Sequence, residues 1–234
     1  MRRIAAFAVV ALAALLAAAV AVGASGDPKR AITKADQASA KAMLLTRGDL
    51  GGGWTVSATS GGRGDDVDFR CPGYQPDESD LTLTGDATSP DFELATAGTI
   101  SFGSSSASLY ATAPQAKASW ARVVKPGLVR CFVRLLEDEV GAQQQAQGTP
   151  LALEITASGR VAFPAVASRT SAYRISGVVT QGQLTIPMHL DIVLLGSGRA
   201  NGGFIAVSLF KPFARVAEVR LARITAARMT KAQR

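Results

Sequence analysis

The amino-acid sequence predicts an α+β domain in which helices pack against an antiparallel sheet. Apolar and polar residues alternate between Leu184 and Ile192, which is the clearest strand pattern in the chain. A helical pattern places Leu128, Cys131 and Val140 on one apolar stripe. An antiparallel sheet with an apolar face needs that face covered, and amphipathic helices of this kind cover it.

The first 24 residues have the pattern of a secretory signal peptide. Two arginines precede an uncharged run of 19 residues, Ile4 to Val22, and small residues follow it. The run is also just long enough to span a bilayer, so an uncleaved anchor is the alternative. In both cases we expect residues 25–234 to form one domain outside the cytoplasm, secreted or held at the outer face of the cytoplasmic membrane.

The charge of the chain favours some partners over others. There are 25 lysines and arginines against 18 aspartates and glutamates, and much of the excess lies in the last twenty residues. This basic C-terminal helix could contact anionic lipid, as could the N-terminal segment, although a solvated helix face explains the same charges. Nucleic acid is not expected, because the basic residues are not interleaved with stacking aromatic residues.

The first half of the chain predicts a helix and several short strands. Thr33 is placed to cap a helix over residues 33–47 that ends at Gly48. Its predicted apolar stripe consists of Ala35, Ala38, Ala42 and Leu45. Three glycines then lead into a short strand at Trp54, without the strand and helix that a phosphate-binding loop needs. Residues 97–102 predict another strand, followed by a serine-rich turn.

The second half predicts two helices, an antiparallel meander and a final helix. Residues 113–124 are helical, and a Lys-Pro-Gly break separates them from the stripe that contains Cys131. Turn sequences separate the last three strands, which therefore predict a meander. Pro187 indicates a sheet edge or a bulge, because proline cannot donate to the ladder. Pro212 is expected to open the final helix, whose predicted apolar face carries Phe213, Ala217, Leu221 and Ile224.

Cys71 and Cys131 are the two cysteines of the chain, and we predict that they form a disulfide. A cysteine nucleophile needs a placed base, and the single histidine, His189, lies in the middle of a strand. Two cysteines and one histidine do not make a zinc signature. An even cysteine count in an exported chain favours pairing, and closing this loop is worth about 4 kcal/mol in the chain-entropy model.

The other candidate residues each have a structural alternative. His189 and Asp191 share a strand face and could form half of a catalytic dyad, but we expect them on the solvent side of the strand. Trp54, Trp120 and Tyr173 could line a cavity, or could be core residues. Acidic residues between positions 65 and 68 lack the spacing of a calcium loop. No cofactor or metal is predicted.

Three stretches carry a resemblance to a known group of proteins. They are AKAMLLTRGDLGGGW near the start, ASWARVVKPGLVRCFVRLL in the middle and DIVLLGSGRANGGFIAVSLF near the end. With them the chain resembles exported actinobacterial sensor-like domains, including the extracellular sensor domains of mycobacterial serine/threonine kinases and PsbP-like envelope proteins. The kinase sensors have two disulfides where this chain has one. The resemblance implies a PsbP-like α+β fold and a binding or sensing module, with no catalytic residues to carry over.

These observations predict a non-catalytic exported domain at the cell envelope. It would bind a small amphipathic ligand, an envelope component or a protein partner. Two alternatives stay open at this point. One is an envelope hydrolase whose active site the sequence does not reveal, and the other is an assembly factor anchored in the membrane.

Overall fold

A computed structural model of the chain describes residues 26–57, 71–96, 98–147 and 150–233, and confirms the α+β class. The predicted signal peptide and the acidic residues between 65 and 68 lie outside the described residues. The strands are β1 (Lys29–Arg30), β2 (Thr55–Val56), β3 (Thr82–Thr88), β4 (Phe92–Ala95), β5 (Ile100–Tyr110), β6 (Leu151–Arg160), β7 (Arg169–Gln181), β8 (Leu184–Ser197) and β9 (Ala200–Leu209). The helices are α1 (Lys34–Met43), α2 (Arg47–Leu50), α3 (Ala113–Val123), α4 (Gly127–Gln147) and α5 (Arg215–Lys231).

The strands form one sheet in the order β1-β3-β5-β9-β8-β7-β6. Strand β4 pairs with β5 beyond the end of β3, and the short β2 pairs with β4. Every pairing is antiparallel except that of β1 with β3. The predicted meander is confirmed, because β6, β7, β8 and β9 are neighbours in chain order.

Strand β5 runs straight through the serine-rich segment, so the predicted turn there is wrong. Its serine hydroxyls have partners that the local sequence does not reveal. Ser105 Oγ accepts the backbone N–H of Leu45 at 2.9 Å, and the hydroxyls of Ser101 and Ser208 lie 3.1 Å apart. Buried hydroxyl groups with such bonds are compatible with a central strand.

Helices cover both faces of the sheet, where the sequence predicted one apolar face. On the first face, α4 packs on an apolar cluster that includes Cys131, Phe132, Tyr173, Ile175, Met188, Leu190 and Ile192. On the second face, α1 and α5 pack on a cluster that includes Met43, Leu109, Val193, Leu195, Phe204, Leu221 and Met229. The molecule therefore has three layers, with the sheet in the middle.

Helix α1 begins as predicted and ends earlier. Thr33 is its N-cap, and its hydroxyl accepts the N–H of Asp36 at 3.1 Å. The helix ends at Met43 because Leu44 is extended and Leu45 N–H bonds to Ser105. A separate helical turn, α2, contains Gly48, the predicted end of the first helix.

The inner face of α1 also differs from the predicted stripe. Ala40 and Met43 are buried, whereas the predicted Ala35, Ala38 and Ala42 are exposed. The helix crosses β3 so closely at Gly85 that a Cβ there would overlap the backbone of Asp36. The part of α1 nearest β3 is polar rather than apolar. The Asp36 carboxylate binds the guanidinium of Arg199 there at 2.5 Å.

Helix α5 begins at Arg215, three residues after the predicted start at Pro212. Its buried face contains Leu221 as predicted, but also Glu218, whose side chain is only 1% exposed. Several basic residues of this helix bind other parts of the domain. Arg228 forms two bonds to the carboxylate of Asp49, at 2.7 and 2.9 Å. Within the described ranges, no helix is both long and apolar enough to cross a membrane.

Pro187 lies inside the sheet rather than on an edge strand. Its carbonyl accepts the N–H of Phe210, one residue beyond the end of β9. The β8–β9 ladder starts at the next residue, Met188, and no bulge occurs at this point. Proline has no N–H to donate, and Pro187 lies at the end of the β8–β9 ladder, where its carbonyl alone bonds to Phe210.

Cys71 and Cys131 form a disulfide in the structure, as the sequence predicts. Their Cα atoms lie 5.4 Å apart, and both residues are buried against the first apolar cluster. The bond ties the segment 71–81 to the second turn of α4.

We expect the double variant Cys71→Ala/Cys131→Ala to lose about 4 kcal/mol of unfolding free energy, because the unfolded chain regains the entropy that the closed loop removes. Urea unfolding of the variant and the wild type measures this difference. The bond itself can be checked by thiol titration of unfolded, unreduced wild type, and two free thiols would contradict it.

Candidate functional site

A cavity of about 190 Å³ lies between α3 and the first face of the sheet. Helix α3 contributes Ser119, Trp120, Val123 and Val124. The sheet contributes Arg30, Leu83, Asp86, Ser106, Ser108, Tyr110, Leu194, Asn201 and Gly202, and the remaining wall is formed by Asp27, Pro28 and Glu78. A cavity of about 150 Å³ in another protein holds benzene, so this space is sufficient for a small organic molecule.

Local sequence and a few long-range bonds place α3 over the sheet. Thr112 caps the helix by accepting the N–H of Gln115 at 3.3 Å, and Pro114 lies in the first turn. The side-chain amide of Asn201 donates to the carbonyl of Ala116 at 2.8 Å and fixes the helix to β9. The helix on one side of the cavity is therefore bonded directly to the sheet on the other side.

Glu78 provides a buried carboxyl group at the cavity, and its residue is only 4% exposed. Its backbone N–H donates to the carbonyl of Gly26 at 2.6 Å. The Tyr110 hydroxyl lies 3.5 Å from the carboxylate and 2.7 Å from the hydroxyl of Ser119. A titratable group, a phenol and a hydroxyl thus converge at one end of the cavity.

Burial raises the pKa of Glu78, and the negative charge of Asp27 adds to this effect. The hydroxyls of Ser119 and Tyr110 and the positive charge of Arg122 act in the opposite direction. Burial also raises the pKa of the Tyr110 phenol well above its usual range. The carboxyl group of Glu78 is consequently costly to ionise at this buried position.

The segment that carries Glu78 is held at three points besides its backbone bond to Gly26. The disulfide anchors Cys71, and the hydroxyl of Tyr74 donates to the carbonyl of Val123 at 2.7 Å. Tyr74 packs against Gly127, where a Cβ would lie 2.8 Å from its ring. Arg122 on α3 forms an ion pair with Asp80.

No sequence motif marks Glu78 as a site residue. It lies in a run of proline and acidic residues, 76–80, which is the usual composition of a solvated loop. The nearest signal is the predicted Cys71–Cys131 bond, since a segment that begins at a buried cysteine must run close to α4.

The three aromatic residues proposed for a cavity are not brought together. Trp120 lines the cavity, and the Arg169 guanidinium lies 5.9 Å from its ring centroid. Trp54 is buried on the opposite side of the sheet, with its ring centroid 6.1 Å from that of Phe213. Tyr173 is a core residue of the first apolar cluster. Trp54 and Tyr173 therefore lie in the core and not at the cavity.

A second group of charged side chains lies between β7, β8 and α5. Arg174 donates to Asp191 at 2.6 Å and to Glu218 at 2.8 Å, and Arg215 binds Glu218 at 2.6 Å. The expectation that Asp191 faces solvent is wrong, because α5 covers this face and leaves the residue 1% exposed. Burial and the neighbouring Glu218 raise the pKa of Asp191 to about 6, although Arg174 opposes the shift.

His189 does not form a dyad with Asp191. Its Nδ1 lies 3.1 Å from the hydroxyl of Ser176, while Asp191 binds Arg174. Burial and the charge of Arg174 lower the pKa of His189. Among the described residues, no three His, Cys, Asp or Glu side chains are grouped to hold a metal ion.

The outer face of α5 forms an open groove on the surface. It is lined by Arg215, Val216, Val219, Arg220, Arg223 and Ile224. Val216 is 83% exposed, and Arg220 donates to the carbonyl of Asp49 at 2.5 Å. Apolar and basic side chains line this groove, and no buried polar group is among its lining residues.

The chain matches no family model and no curated protein. Its structure is similar to the extracellular domain of PknH from Mycobacterium tuberculosis, with 9% identity, a TM-score of 0.37, and coverage of 89% of this chain and 99% of that chain. It is also similar to LpqN, involved in cell envelope biogenesis of Mycobacterium tuberculosis, with 8% identity, a TM-score of 0.29, and coverage of 61% and 75%. Both are mycobacterial proteins, as are the kinase sensor domains that the sequence resembles.

Arg174→Met tests the buried charge cluster. We expect a loss of about 3 to 5 kcal/mol of unfolding free energy at pH 7, because two buried carboxylates lose their shared counter-charge. The loss should be smaller at pH 5, since a carboxyl group with a raised folded pKa takes up a proton in the folded state and acidification then favours folding. Urea unfolding at both pH values measures these losses.

The matched control is Arg134→Met, which removes an exposed arginine of α4 and should change stability little at either pH. An equal loss for Arg174→Met at pH 7 and pH 5 would contradict the raised pKa of Asp191.

Proposed function

We propose that the protein is a non-catalytic binding domain that acts at the cell envelope and holds a small amphipathic ligand in the cavity under α3. The observation that carries this proposal is the cavity itself, which joins a wall of Trp120, Val123, Val124 and Leu194 to a buried carboxyl and several hydroxyl groups. Ligand sites commonly combine apolar walls with a few placed polar groups.

Export is part of this proposal. Residues 1–24 would be the signal peptide, cleaved or kept as an anchor, and residues 25–234 the extracytoplasmic domain. The disulfide supports an oxidising compartment, because such bonds persist mainly outside the cytoplasm.

A hydrolase could use the two acids that converge under α5 on the second face of the sheet. The structure supports this function less well than it supports binding in the cavity. Asp191 is 1% exposed and Glu218 is fully buried, so a substrate would reach them only if α5 moved away from the sheet. Both carboxylates also bind Arg174, which favours their role in holding α5 in place.

A membrane-anchored assembly factor is the second candidate function. The groove on α5 favours it, because Val216 and Val219 lie among three arginines and could rest on an anionic bilayer. This surface is shallow and does not involve the buried carboxyl group, so it explains less of the structure than the cavity does.

We expect the protein, purified from an oxidising compartment, to carry a small molecule that native mass spectrometry detects. Val124→Trp should remove this bound mass because the larger side chain fills the cavity. Val216→Trp, in the groove on α5, is the matched control and should keep it.

Ser108→Leu fills the cavity from the sheet side and serves as a second variant if Val124→Trp does not fold. Loss of the bound mass from Val216→Trp, with retention in the two cavity variants, would contradict the proposal and favour the groove. A wild-type protein that binds no small molecule on incubation with an amphipathic library would also contradict it.

A further inference from the structure

Helix α5 has a stripe of exposed residues along its outer side. Its members lie three or four positions apart, which places them on the same side of a helix. They are Val216, Arg220, Arg223, Ala227 and Lys231, and we call them the α5 stripe. At about 1.5 Å per residue the stripe is roughly 22 Å long. The other side of α5 is buried on the second face of the sheet, so the stripe is part of the molecular surface.

Two arginines of the α5 stripe carry charges that no carboxylate of the described residues pairs with. Arg220 donates to the backbone carbonyls of Asp49 and Leu50, and these carry no net charge. Arg223 forms no ion pair within the described ranges and lines two shallow grooves, the groove on α5 and a second one beside Val166. No acidic residue lines either groove.

The carboxylates that bond to α5 are already paired with other arginines. Glu218 binds Arg215 on the same helix, and it also binds Arg174 on β7. Asp49 binds Arg228 through both of its carboxylate oxygens. The side chains of these two acids are only 1% and 14% exposed. They therefore leave the charges of the two stripe arginines uncompensated at the surface.

Val216 adds an apolar group to this basic surface. Its exposed fraction of 83% is larger than that of any other large apolar residue in the described part of the chain. Val219 and Ile224 are partly buried and line the same groove. Apolar side chains beside arginines on one side of a helix are typical of helices that lie in the headgroup region of a bilayer.

We propose that the α5 stripe binds the surface of an anionic lipid bilayer, with Arg220 and Arg223 against lipid phosphate groups and Val216 at the acyl boundary. Guanidinium groups bind phosphate oxygens well, and the headgroup region also removes an exposed valine from water. A soluble acidic polymer would match the arginines but would leave Val216 in water.

This inference goes beyond the proposed function and does not depend on it. The cavity lies on the first face of the sheet, whereas α5 lies on the second, so contact through the α5 stripe leaves the cavity on the side away from the lipid. The contact also needs no N-terminal anchor. It would hold an exported domain reversibly at the membrane and set its orientation there.

The test measures binding of the soluble exported protein to vesicles by co-sedimentation at pH 7. We expect at least tenfold tighter binding to phosphatidylcholine vesicles with about 30% phosphatidylglycerol than to phosphatidylcholine alone, and loss of this preference at high salt. Arg220→Gln/Arg223→Gln should weaken binding to the anionic vesicles at least tenfold, since each arginine near such a surface contributes roughly fivefold.

Arg130→Gln/Arg134→Gln is the matched control, because it removes the same charge from two exposed positions of α4 and should keep the wild-type affinity. Arg223→Gln alone repeats the test if the α5 double variant does not fold, and it should weaken binding severalfold. Equal binding to the two kinds of vesicle, or an equal loss in the two double variants, would overturn the inference.

Val216→Trp distinguishes a bilayer from a soluble acidic polymer. We expect its fluorescence emission to shift to shorter wavelength with anionic vesicles and to stay unchanged with polyglutamate, because only the bilayer removes this side chain from water. Binding to polyglutamate as tight as to the vesicles, without an emission shift on the vesicles, would overturn the lipid surface and favour an acidic polymer.

Discussion

The disulfide between Cys71 and Cys131 is the constraint on which the cavity depends. It fixes a polar segment of the chain against α4, and the hydroxyl of Tyr74 and the ion pair of Arg122 with Asp80 fix the same segment against α3. A carboxyl group in such a polar stretch would otherwise remain in water, where its ionised form is most stable. Here Glu78 is held under the helix, so the cross-link that stabilises the domain also determines the chemistry of the candidate site.

The second face of the sheet also buries acidic side chains, but there they are paired with an arginine. Helix α5 covers Asp191 and brings in Glu218, and Arg174 neutralises both. Removal of a partner from such a cluster is costly, so the cluster fixes the position of α5 on the sheet. The two faces therefore bury acids in different ways. One face supplies an arginine for its acids, and the other leaves Glu78 with hydroxyl groups and a cavity.

Local patterns predicted the parts of this structure that depend on neighbouring residues. The cap at Thr33, the buried stripe around Cys131 and the strand order of the meander all follow from short-range periodicity and turns. The serine-rich strand β5 and the burial of Asp191 were not predictable in this way, because their partners, Leu45 and Arg174, come from distant positions. For the same reason the sequence identified Trp120 as a candidate cavity residue but not Glu78.

The central claim is that a small amphipathic ligand binds in the cavity under α3, and the most direct test is to locate one. Crystals of the wild-type protein grown with 4-bromobenzyl alcohol, a small amphipathic probe, would show the bromine by its anomalous scattering. The account predicts a peak in the cavity, in contact with Trp120 or Val123, with the hydroxyl group of the probe directed toward Glu78. A peak in the groove on α5 and none under α3 would contradict it.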